Sequence, residues 1–317
     1  MKKVLKIWLW GAALAGAAAC SGWGEGTQPT AEEMRLERCC TVDTAGIRAV
    51  LGTDNVAGWE RLSELSAEAW MLVDDSTGLL IGEKNATQRM YPASLTKMMT
   101  CLLALENGKM TDSIEISQDV FVTRDSRLRP GDAYVERNLI YEMMLQSDNV
   151  AAVALGKRIG GDTLAFCQMM NEKAAYLHMD STRFANANGM ACDSNYTTAR
   201  DLLTLTRYCM ADSAFAEIVG TRFMDIPLID RRHLPCQNTN LLLEQYEGCT
   251  GVKTGYTRQA GSCLAAAATR GNVTLVLVLL KSKSRASRFS EAATLLDYGF
   301  RVMEEYRRRT ATSPSTH

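Results

Sequence analysis

Histidine is scarce in this sequence of 317 residues, which contains only His178, His233 and the C-terminal His317. None of the three stands in a nucleophile-elbow sequence or in a recognisable Ser-His-Asp context, so histidine is not expected to activate a serine here. No spacing of cysteine and histidine indicates a zinc site, and we expect neither a metal nor another cofactor. The lack of histidine therefore directs the search for a catalytic base to lysine.

An excess of charge of one sign is also absent. Lys and Arg total 35 against 36 Asp and Glu, which gives a formal net charge of −1. Such a chain has no global positive field, so binding to nucleic acid is not expected. The length suffices for one large domain or two small ones, with ample chain to bury a core.

Long apolar runs are lacking, apart from one near the N-terminus. Three lysines, at positions 2, 3 and 6, precede the apolar run Ile7–Ala19, a pattern typical of an export signal and too short for a comfortable membrane span. The run ends Ala17-Ala18-Ala19-Cys20, which resembles the bacterial lipoprotein signal, although that signal usually has a bulky aliphatic residue where Ala17 stands. We predict lipidation of Cys20, with ordinary cleavage after Ala19 as the alternative.

Ten cysteines would suit a disulfide framework in an exported protein. Without Cys20 nine remain, so at least one lacks an intrachain partner. Four lie in apolar helical or strand patterns and are interpreted as small core residues: Cys101, Cys167, Cys209 and Cys263. Cys39 with Cys40, and Cys236 with Cys249, could form disulfides, which the sequence leaves open.

Apolar periodicity predicts strands at both ends of the main domain and helices between them. The predicted strands are 69–73, 79–82, 251–256, 261–269 and 273–280. The predicted helices are Leu95–Leu105, a helical region over 136–210, and an amphipathic helix over 286–306. This order predicts an α+β fold, an antiparallel sheet flanked by helices, with an all-helical subdomain inserted. We divide the chain into an export signal (1–19), a tether and lead-in (20–65), the main domain (66–306) and a disordered tail (307–317).

The segment Ser94-Leu95-Thr96-Lys97 begins a predicted helix just after Pro92. The i, i+3 spacing places Ser94 and Lys97 on one face of the first turn, within reach of each other. A serine hydroxyl needs a base, and a lysine can serve if burial and neighbouring positive charge lower its pKa toward neutrality. We therefore predict Ser94 as a nucleophile and Lys97 as its base, with N–H groups of the helix N-terminus available to an oxyanion.

The segment Ser147-Asp148-Asn149 separates two helical patterns. Ser147 can pass a proton to a leaving amine, while the Asn149 amide can hold Lys97 or a peptide group of the substrate. All three residue types are also preferred helix N-caps, so capping of a helix that begins at Val150 is the alternative interpretation, and the two roles are compatible.

The segment Lys253-Thr254-Gly255 lies in an apolar strand pattern, where a charged residue is out of place unless it faces a site. Lys253 and Thr254 can bind a carboxylate, and Gly255 lets a substrate backbone approach the strand edge. The N–H of Tyr256 can complete an oxyanion hole. The alternative is a solvated edge-strand lysine beside a bend glycine.

In this order the three motifs resemble the set shared by the penicillin-binding proteins and the class A β-lactamases. A closer resemblance, to the serine-type D-alanyl-D-alanine carboxypeptidases or low-molecular-mass penicillin-binding proteins, covers about 69–306. It rests on the following segments: Tyr91 to Thr100, Phe184-Ala-Asn186 with Gly189, Tyr196 to Asp201, Asn238-Thr-Asn240, and Gly251 to Thr257.

The resemblance implies a penicillin-binding-protein or β-lactamase-like transpeptidase fold. It implies an enzyme that removes the terminal D-alanine from peptidoglycan stem peptides through an acyl-serine, trimming the cell wall and limiting its cross-linking, with β-lactams as covalent inhibitors. It implies the roles given above to the three motifs and adds Arg288, at about the place of a family arginine that neutralises the substrate carboxylate. The enzyme would act in the bacterial cell envelope, attached to the membrane through Cys20.

Two departures from the family pattern and three alternatives accompany this interpretation. Many members have a β-rich domain and an anchor helix after the catalytic domain, whereas a short tail follows Tyr306, and Ala187 stands where proline is common. A D,D-endopeptidase would use the same chemistry on cross-links. A class A β-lactamase needs an added glutamate, and no Glu-x-x-x-Asn pattern follows Asn149 at a suitable interval. A non-catalytic peptidoglycan-binding lipoprotein would not need to keep Ser94, Lys97 and the other motif residues intact.

Overall fold

The computed structural model describes residues 29–52 and 59–312. Its α-helices are α1 (Ala31–Cys40), α2 (Gly46–Leu51), α3 (Lys97–Asn107), α4 (Glu136–Leu145), α5 (Asn149–Gly160), α6 (Thr163–Tyr176), α7 (Ala199–Met210), α8 (Ser213–Gly220), α9 (Leu242–Gln245) and α10 (Ser287–Thr312). Its strands are β1 (Ala69–Asp74), β2 (Leu80–Lys84), β3 (Ser113–Glu115), β4 (Ala133–Val135), β5 (Phe223–Pro227), β6 (His233–Gln237), β7 (Cys249–Thr257), β8 (Gly261–Arg270) and β9 (Val273–Ser282).

A five-stranded sheet in the order β2-β1-β9-β8-β7 forms the centre of the fold. Every neighbouring pair in it is antiparallel, including the predicted hairpins β1–β2 and β8–β9. The predicted α+β fold with an antiparallel sheet is therefore confirmed. Within residues 29–52 and 59–312, the strand that carries Lys253, β7, pairs only with β8, so its other edge has no strand partner.

The two faces of this sheet pack against different helices. Alternate residues of β9 point to opposite sides, as the period of two in a strand requires. Leu275, Leu277 and Leu279 pack with residues of α2 and α10, whereas Val276 and Val278 pack with residues of α3, α5 and α7. Because both faces are covered, β9 is a nearly continuous apolar run, and its hydrophobic burial holds the two helical layers on the sheet.

The region 136–210, predicted to be helical throughout, contains α4 to α7 but is interrupted by the non-helical segment 177–198. Two short antiparallel ribbons that were not predicted flank it, β3–β4 before it and β5–β6 after it. Buried apolar residues, among them Phe184 and Ala187, give the segment 177–198 the composition of a helix. Asparagine side chains instead form hydrogen bonds with the backbone of this segment. Asn186 Oδ1, for example, accepts from Gly189 N at 2.6 Å, and such local hydrogen bonds compete with helix formation.

The last helix, predicted to end at Tyr306 before a disordered tail, continues to Thr312. Glu305 accepts hydrogen bonds from Arg308 at 2.7 Å and from Arg309 at 2.6 Å, which are the i, i+3 and i, i+4 pairs that stabilise a helical turn. Arg307 also donates to the Asn272 carbonyl of the β8–β9 turn at 3.2 Å, so the end of the helix is tied to the sheet.

The lead-in is packed onto the main domain. The buried guanidinium of Arg207 in α7 donates to the carbonyls of Cys39, at 3.2 Å, and Thr41, at 2.8 Å, and to Asp75 Oδ1 at 2.9 Å. This arrangement joins α1 to the body of the fold upstream of the predicted boundary at residue 66. Residues 1–28, with the predicted export signal and Cys20, lie outside the described residues.

The nine cysteines of the described residues form no disulfide, which corrects the possibility raised for Cys39 with Cys40 and for Cys236 with Cys249. Cys236 Sγ instead donates to the buried Glu142 Oε2 at 2.5 Å, and burial raises the pKa of this thiol to about 12. Within residues 29–52 and 59–312, none of the helices is long and apolar enough to cross a membrane.

Candidate active site

Ser94 lies in a single 3₁₀ turn, Ala93–Thr96, immediately before α3, rather than inside the α-helix itself. Leu95 N donates to Pro92 O at 3.2 Å to close this turn. Ala93 has φ +48°, in the left-handed region that a non-glycine residue adopts only at a cost. The turn thus presents Ser94, which is half-buried, at the start of α3, as the Ser-x-x-Lys spacing predicts.

Lys97 is the first residue of α3, and its side chain is fully buried. Its Nζ lies 3.1 Å from Ser94 Oγ, 2.8 Å from Asn149 Oδ1 and 2.6 Å from the carbonyl oxygen of Asn188. Two of these oxygens can only accept hydrogen bonds, whereas a hydroxyl can also donate one. When the amine is neutral, its two N–H groups are therefore used by Asn149 and Asn188, and its lone pair faces the hydroxyl of Ser94.

Burial lowers the pKa of Lys97 to about 7, while the negative charge of Asp148 opposes this shift. Desolvation disfavours the charged form of an amine, so a substantial fraction of Lys97 is neutral near physiological pH. The electrostatics and the hydrogen-bond geometry agree in making Lys97 able to take a proton from Ser94.

The second motif divides the two roles proposed for it between adjacent residues. Asp148 caps α5, since its Oδ1 accepts from Ala151 N at 2.9 Å, while Asn149, the first residue of that helix, reaches Lys97. Ser147, at φ +62°, holds the strained turn between α4 and α5. Its part in proton transfer stays a prediction.

The third motif lies on β7, and its lysine is not solvated. Lys253 is only 1% exposed, so the edge-strand alternative is wrong. Its Nζ donates to the Thr254 carbonyl at 3.1 Å. Burial, and then the positive charges of Lys97 and Arg288, hold the pKa of Lys253 well below its usual value. Thr254 Oγ1 lies 2.7 Å from Thr239 Oγ1, which fixes its hydroxyl.

Gly255 allows β7 to pass against the 3₁₀ turn Ala93–Thr96. We call this turn the nucleophile turn, after the role predicted for Ser94. A Cβ at Gly255 would lie 3.1 Å from both the Ala93 Cβ and the Ser94 backbone nitrogen, closer than side chains normally pack. The strand edge and the Ser94 N–H therefore border the same narrow space. Tyr256 follows, half exposed, and its N–H remains the predicted second oxyanion donor.

Arg288 reaches β7 from α10. Its Nη1 donates to the Gly255 carbonyl at 3.1 Å, and burial lowers its pKa to about 10. Its Nε is buried without a partner in the part of the chain that the structure describes. Arg288 thus adds positive charge behind the third motif, and its contact with a substrate carboxylate stays a prediction.

Two neighbours of the site, Asn188 and Gly189, were not predicted as site residues, and Gly189 was cited only as part of the family resemblance. Gly189 has φ +85°, and a Cβ there would lie 1.8 Å from the Ala93 carbonyl, so only glycine lets this loop approach the nucleophile turn. The approach brings the Asn188 carbonyl to Lys97, and Thr100 Oγ1 supports the loop by donating to the Ala187 carbonyl at 2.6 Å. The available signal was a glycine that follows two asparagines in a predicted helix.

An antiparallel sheet with a Ser-x-x-Lys turn held against its edge strand, and a helical region that supplies Ser-x-Asn, is the architecture of the penicillin-binding-protein class of active-site serine proteins. The sequence profile of one family within that class, described as D-alanyl-D-alanine carboxypeptidase, matches residues 56–284. The chain belongs to this D-alanyl-D-alanine carboxypeptidase family, which confirms the predicted relationship.

Curated relatives carry the same family name. A D-alanyl-D-alanine carboxypeptidase of Bacillus subtilis is 31% identical over 256 residues, which cover 78% of this chain and 66% of the relative. One from Escherichia coli is 32% identical over 255 residues, 76% of this chain and 62% of the relative. The chain thus spans slightly less than two thirds of these relatives. One from a Streptomyces strain is 32% identical over 289 residues, 84% of this chain and 99% of the relative.

Solved structures agree in fold. The crystal structure of a Streptomyces DD-transpeptidase superposes with a TM-score of 0.71 at 30% identity, covering 74% of this chain and 97% of that one. A D-alanyl-D-alanine carboxypeptidase from Francisella tularensis gives 0.69 at 29% identity, with 74% and 70% covered. The predicted penicillin-binding-protein type of fold is therefore confirmed.

Proposed function

We propose that this protein hydrolyses the terminal D-alanyl-D-alanine bond of peptidoglycan stem peptides through an acyl-serine intermediate. The observation that carries the proposal is the buried amine of Lys97, with two acceptors that leave its lone pair to the hydroxyl of Ser94. Membership of the family supports the choice of substrate.

Acylation follows from this geometry. The Ser94 hydroxyl gives its proton to Lys97 as Oγ forms a bond to the carbonyl carbon of the scissile amide. The oxygen of that carbonyl becomes an oxyanion, which the backbone N–H groups of Ser94 and Tyr256 stabilise. The C–N bond then breaks, and the leaving D-alanine nitrogen takes a proton from Lys97 through Ser147, which leaves an ester on Ser94.

The positive charges around β7 select a substrate that ends in a carboxylate. The positive charges of Lys97 and Arg288 lower the pKa of Lys253, and burial keeps Lys253 and Arg288 from water. Such a cluster is costly to bury unless an anion enters it. The C-terminal carboxylate of a peptide meets that need, with the hydroxyl of Thr254 as a further donor.

Deacylation completes the cycle when water attacks the carbonyl carbon of the ester and gives a proton to Lys97. The bond from that carbon to Ser94 Oγ then breaks, and Oγ takes the proton back from Lys97. A peptide loses its D-alanine to solvent and opens room for that water. The amine released from an opened β-lactam stays tethered and shields the ester. We therefore expect fast turnover of peptide and a slowly hydrolysed penicilloyl adduct on Ser94.

The test is the variant Ser94→Ala. It should retain its melting temperature and lose both labelling by a fluorescent penicillin and release of D-alanine from a peptide that ends in D-Ala-D-Ala. Ser290→Ala, an exposed serine on α10, is the matched control and should keep both activities. A folded Ser94→Ala protein that labels stoichiometrically would overturn the assignment.

The alternatives give different results with the wild-type protein. Adduct loss within seconds, with steady hydrolysis of penicillin, would indicate a β-lactamase. Preference for cross-linked dimers over monomeric stem peptides would indicate an endopeptidase, and no labelling at all would indicate a binding protein. Intact-protein mass spectrometry and chromatography of the peptide products separate these cases.

A second candidate is transfer of the acyl group to an amine instead of water. The likeness to the Streptomyces protein described as a DD-transpeptidase favours it, since that structure matches over 97% of its length. Addition of a D-amino acid as acceptor during peptide turnover distinguishes the two. A product extended by the acceptor supports transfer, whereas D-alanine release without it supports hydrolysis.

We place this activity in the bacterial cell envelope, because its substrate is found there, and propose that a lipid on Cys20 anchors the protein. The support is the N-terminal sequence alone. One acyl chain holds weakly, so stable attachment requires more than one. Cys20→Ala protein that still fractionates with membranes, or an unmodified mature terminus by mass, would contradict the anchor while leaving the enzymatic proposal intact.

A further inference from the structure

A cavity of about 440 Å³ adjoins the C-terminal end of the open edge strand β7, beyond the three motifs. Tyr91, which lines it, stands just before the turn of Ser94, while Ala260 lines it from the β7–β8 turn. Ala260 N donates to Oγ1 of Thr257, the last residue of β7, at 3.0 Å. The cavity therefore lies next to the nucleophile turn and in line with the strand, and the residues assigned above leave its walls without a role.

Four charged side chains line the cavity, and two of them, one positive and one negative, are available to a ligand. Lys281 and Glu68 neutralise each other, with 2.8 Å between Nζ and Oε1. Asp193 Oδ1 accepts a hydrogen bond from the Tyr91 hydroxyl at 3.2 Å, and the guanidinium of Arg89 lies 4.6 Å from the centre of the Tyr196 ring.

Neither Asp193 nor Arg89 forms an ion pair within residues 29–52 and 59–312, and both are exposed at the cavity. The phenol and the aromatic ring hold these two side chains in place. Their charges are left available to a bound group that carries both signs.

The third motif fixes the direction in which a substrate must run. A peptide that adds to the edge of β7 lies parallel or antiparallel to it. With its C-terminal carboxylate at Lys253 and Thr254, its upstream residues extend toward Thr257, antiparallel to the strand. Thr257 ends β7 about 7 Å beyond Gly255 at about 3.3 Å per residue, and Gln259 of the turn that follows lines the cavity, within reach of a long side chain one or two residues upstream.

We propose that this cavity binds the side chain of the residue that precedes D-alanyl-D-alanine, and that it selects a side chain ending in both an amino group and a carboxylate. The ammonium pairs with Asp193 and the carboxylate with Arg89. The inference rests on the proposed function, because it takes the acyl-donor peptide to occupy the edge of β7.

Three acetylated tripeptides that end in D-Ala-D-Ala test it, with meso-diaminopimelate, lysine or norleucine as the first residue. We expect kcat/KM to fall in that order, by about fivefold at each step, the scale of a single ion pair at a partly exposed site. Asp193→Asn, which still accepts from Tyr91, should abolish the preference for lysine over norleucine. Arg89→Gln should abolish the preference for diaminopimelate over lysine.

Matched controls lie on the far side of the sheet. Glu304→Gln and Arg301→Gln remove the same charges from exposed positions of α10 and should leave all three rates unchanged. Benzylpenicillin lacks the upstream residue, so its acylation rate should not change in either cavity variant.

The outcomes separate the two proposals. Equal hydrolysis of the three peptides by the wild-type protein overturns the cavity proposal and leaves the proposed function standing, whereas hydrolysis of none overturns the proposed function. The cavity proposal is also overturned if Asp193→Asn or Arg89→Gln slows acylation by benzylpenicillin as much as it slows hydrolysis of the tripeptides. These residues would then act on the nucleophile turn itself.

Discussion

Lys97 and Lys253 are both buried in one cleft, and burial lowers the pKa of each, yet their surroundings differ. The amine of Lys97 is held by the hydroxyl of Ser94, the amide of Asn149 and the carbonyl of Asn188. In the part of the chain that the structure describes, the amine of Lys253 has one acceptor, the carbonyl of Thr254. Lys253 also senses two positive neighbours, whereas Lys97 senses the negative Asp148.

The difference shows that desolvation alone does not assign a role to a lysine. Lys97 has a complete set of partners before any substrate binds, and its neutral form is the one that those partners favour, as a proton carrier requires. Lys253 is under-satisfied and repelled by its neighbours, a state that an incoming carboxylate relieves. On the proposed function, the region around Lys97 serves the chemistry and the region around Lys253 serves binding.

The largest effect should come from breaking the first region. Lys97→Arg keeps the charge but cannot be deprotonated, so it should lose acylation of Ser94 by benzylpenicillin about a thousandfold, within the range for loss of a general base. Lys97→Ala should lose as much. Rapid-quench mass spectrometry measures the rate, and His233→Gln, on the exposed β6, should stay within a few-fold. An arginine variant with a tenth of the wild-type rate would reverse the assignment of the base.

A smaller effect, confined to binding, should follow in the second region. Lys253→Ala should lower kcat/KM about thirtyfold for a peptide that ends in a free carboxylate, the scale of a buried charge-assisted hydrogen bond. The same peptide as its C-terminal amide should be nearly unaffected. Lys157→Ala, at an exposed ion pair on α5, is the control. Equal losses on the acid and the amide would mean that Lys253 acts on the chemistry instead.

The sequence predicted the local parts of this cleft well. Ser94 with Lys97, and Lys253 with Gly255, are held by short elements whose spacing decides which side chains share a face, so they could be placed before the structure was known. The hairpins of the sheet were equally accessible, because alternating runs separated by turn residues carry their own signature.

What escaped prediction depends on contacts distant in sequence. The third partner of Lys97 is the backbone carbonyl of Asn188, and a carbonyl has no side chain by which a sequence pattern can mark it. The segment around it was predicted as helix because its buried residues are apolar, whereas asparagine bonds and the close approach at Gly189 hold it in another shape. The direction of the Lys97 pKa shift was expected, but its size depends on how deeply the amine is buried, which is determined by the fold.

The boundary between the two regions can be tested at Gly255. In Gly255→Ala the new Cβ presses on Ala93 and on the nitrogen of Ser94, so the oxyanion site should widen. We expect about a tenfold loss of acylation with little change in melting temperature. Gly271→Ala is the contrasting control, since its φ of +57° makes alanine strained while no atom lies within 4 Å. It should lose stability and keep its rate. If both variants lost only stability, contact at Gly255 would be irrelevant to chemistry.

The smallest expected effect sharpens the account of Lys97. The charge of Asp148 favours the ammonium form and so raises the pKa of Lys97 against the effect of burial. Asp148→Asn keeps a residue able to cap α5 while it removes that charge. The pKa of Lys97 should then fall further, and the acid limb of the pH profile of acylation, which reflects the rise of the neutral amine near pH 7, should move to lower pH by about half a unit. Acylation at pH 6 should therefore increase up to about threefold, while the rate at pH 9 stays constant.

Asp212→Asn removes a charge from the cap of α8 and should leave the profile in place. A shift to higher pH in Asp148→Asn would mean that the titrating group is not a lysine that Asp148 holds in its charged form, and the contrast drawn between the two amines would have to be given up.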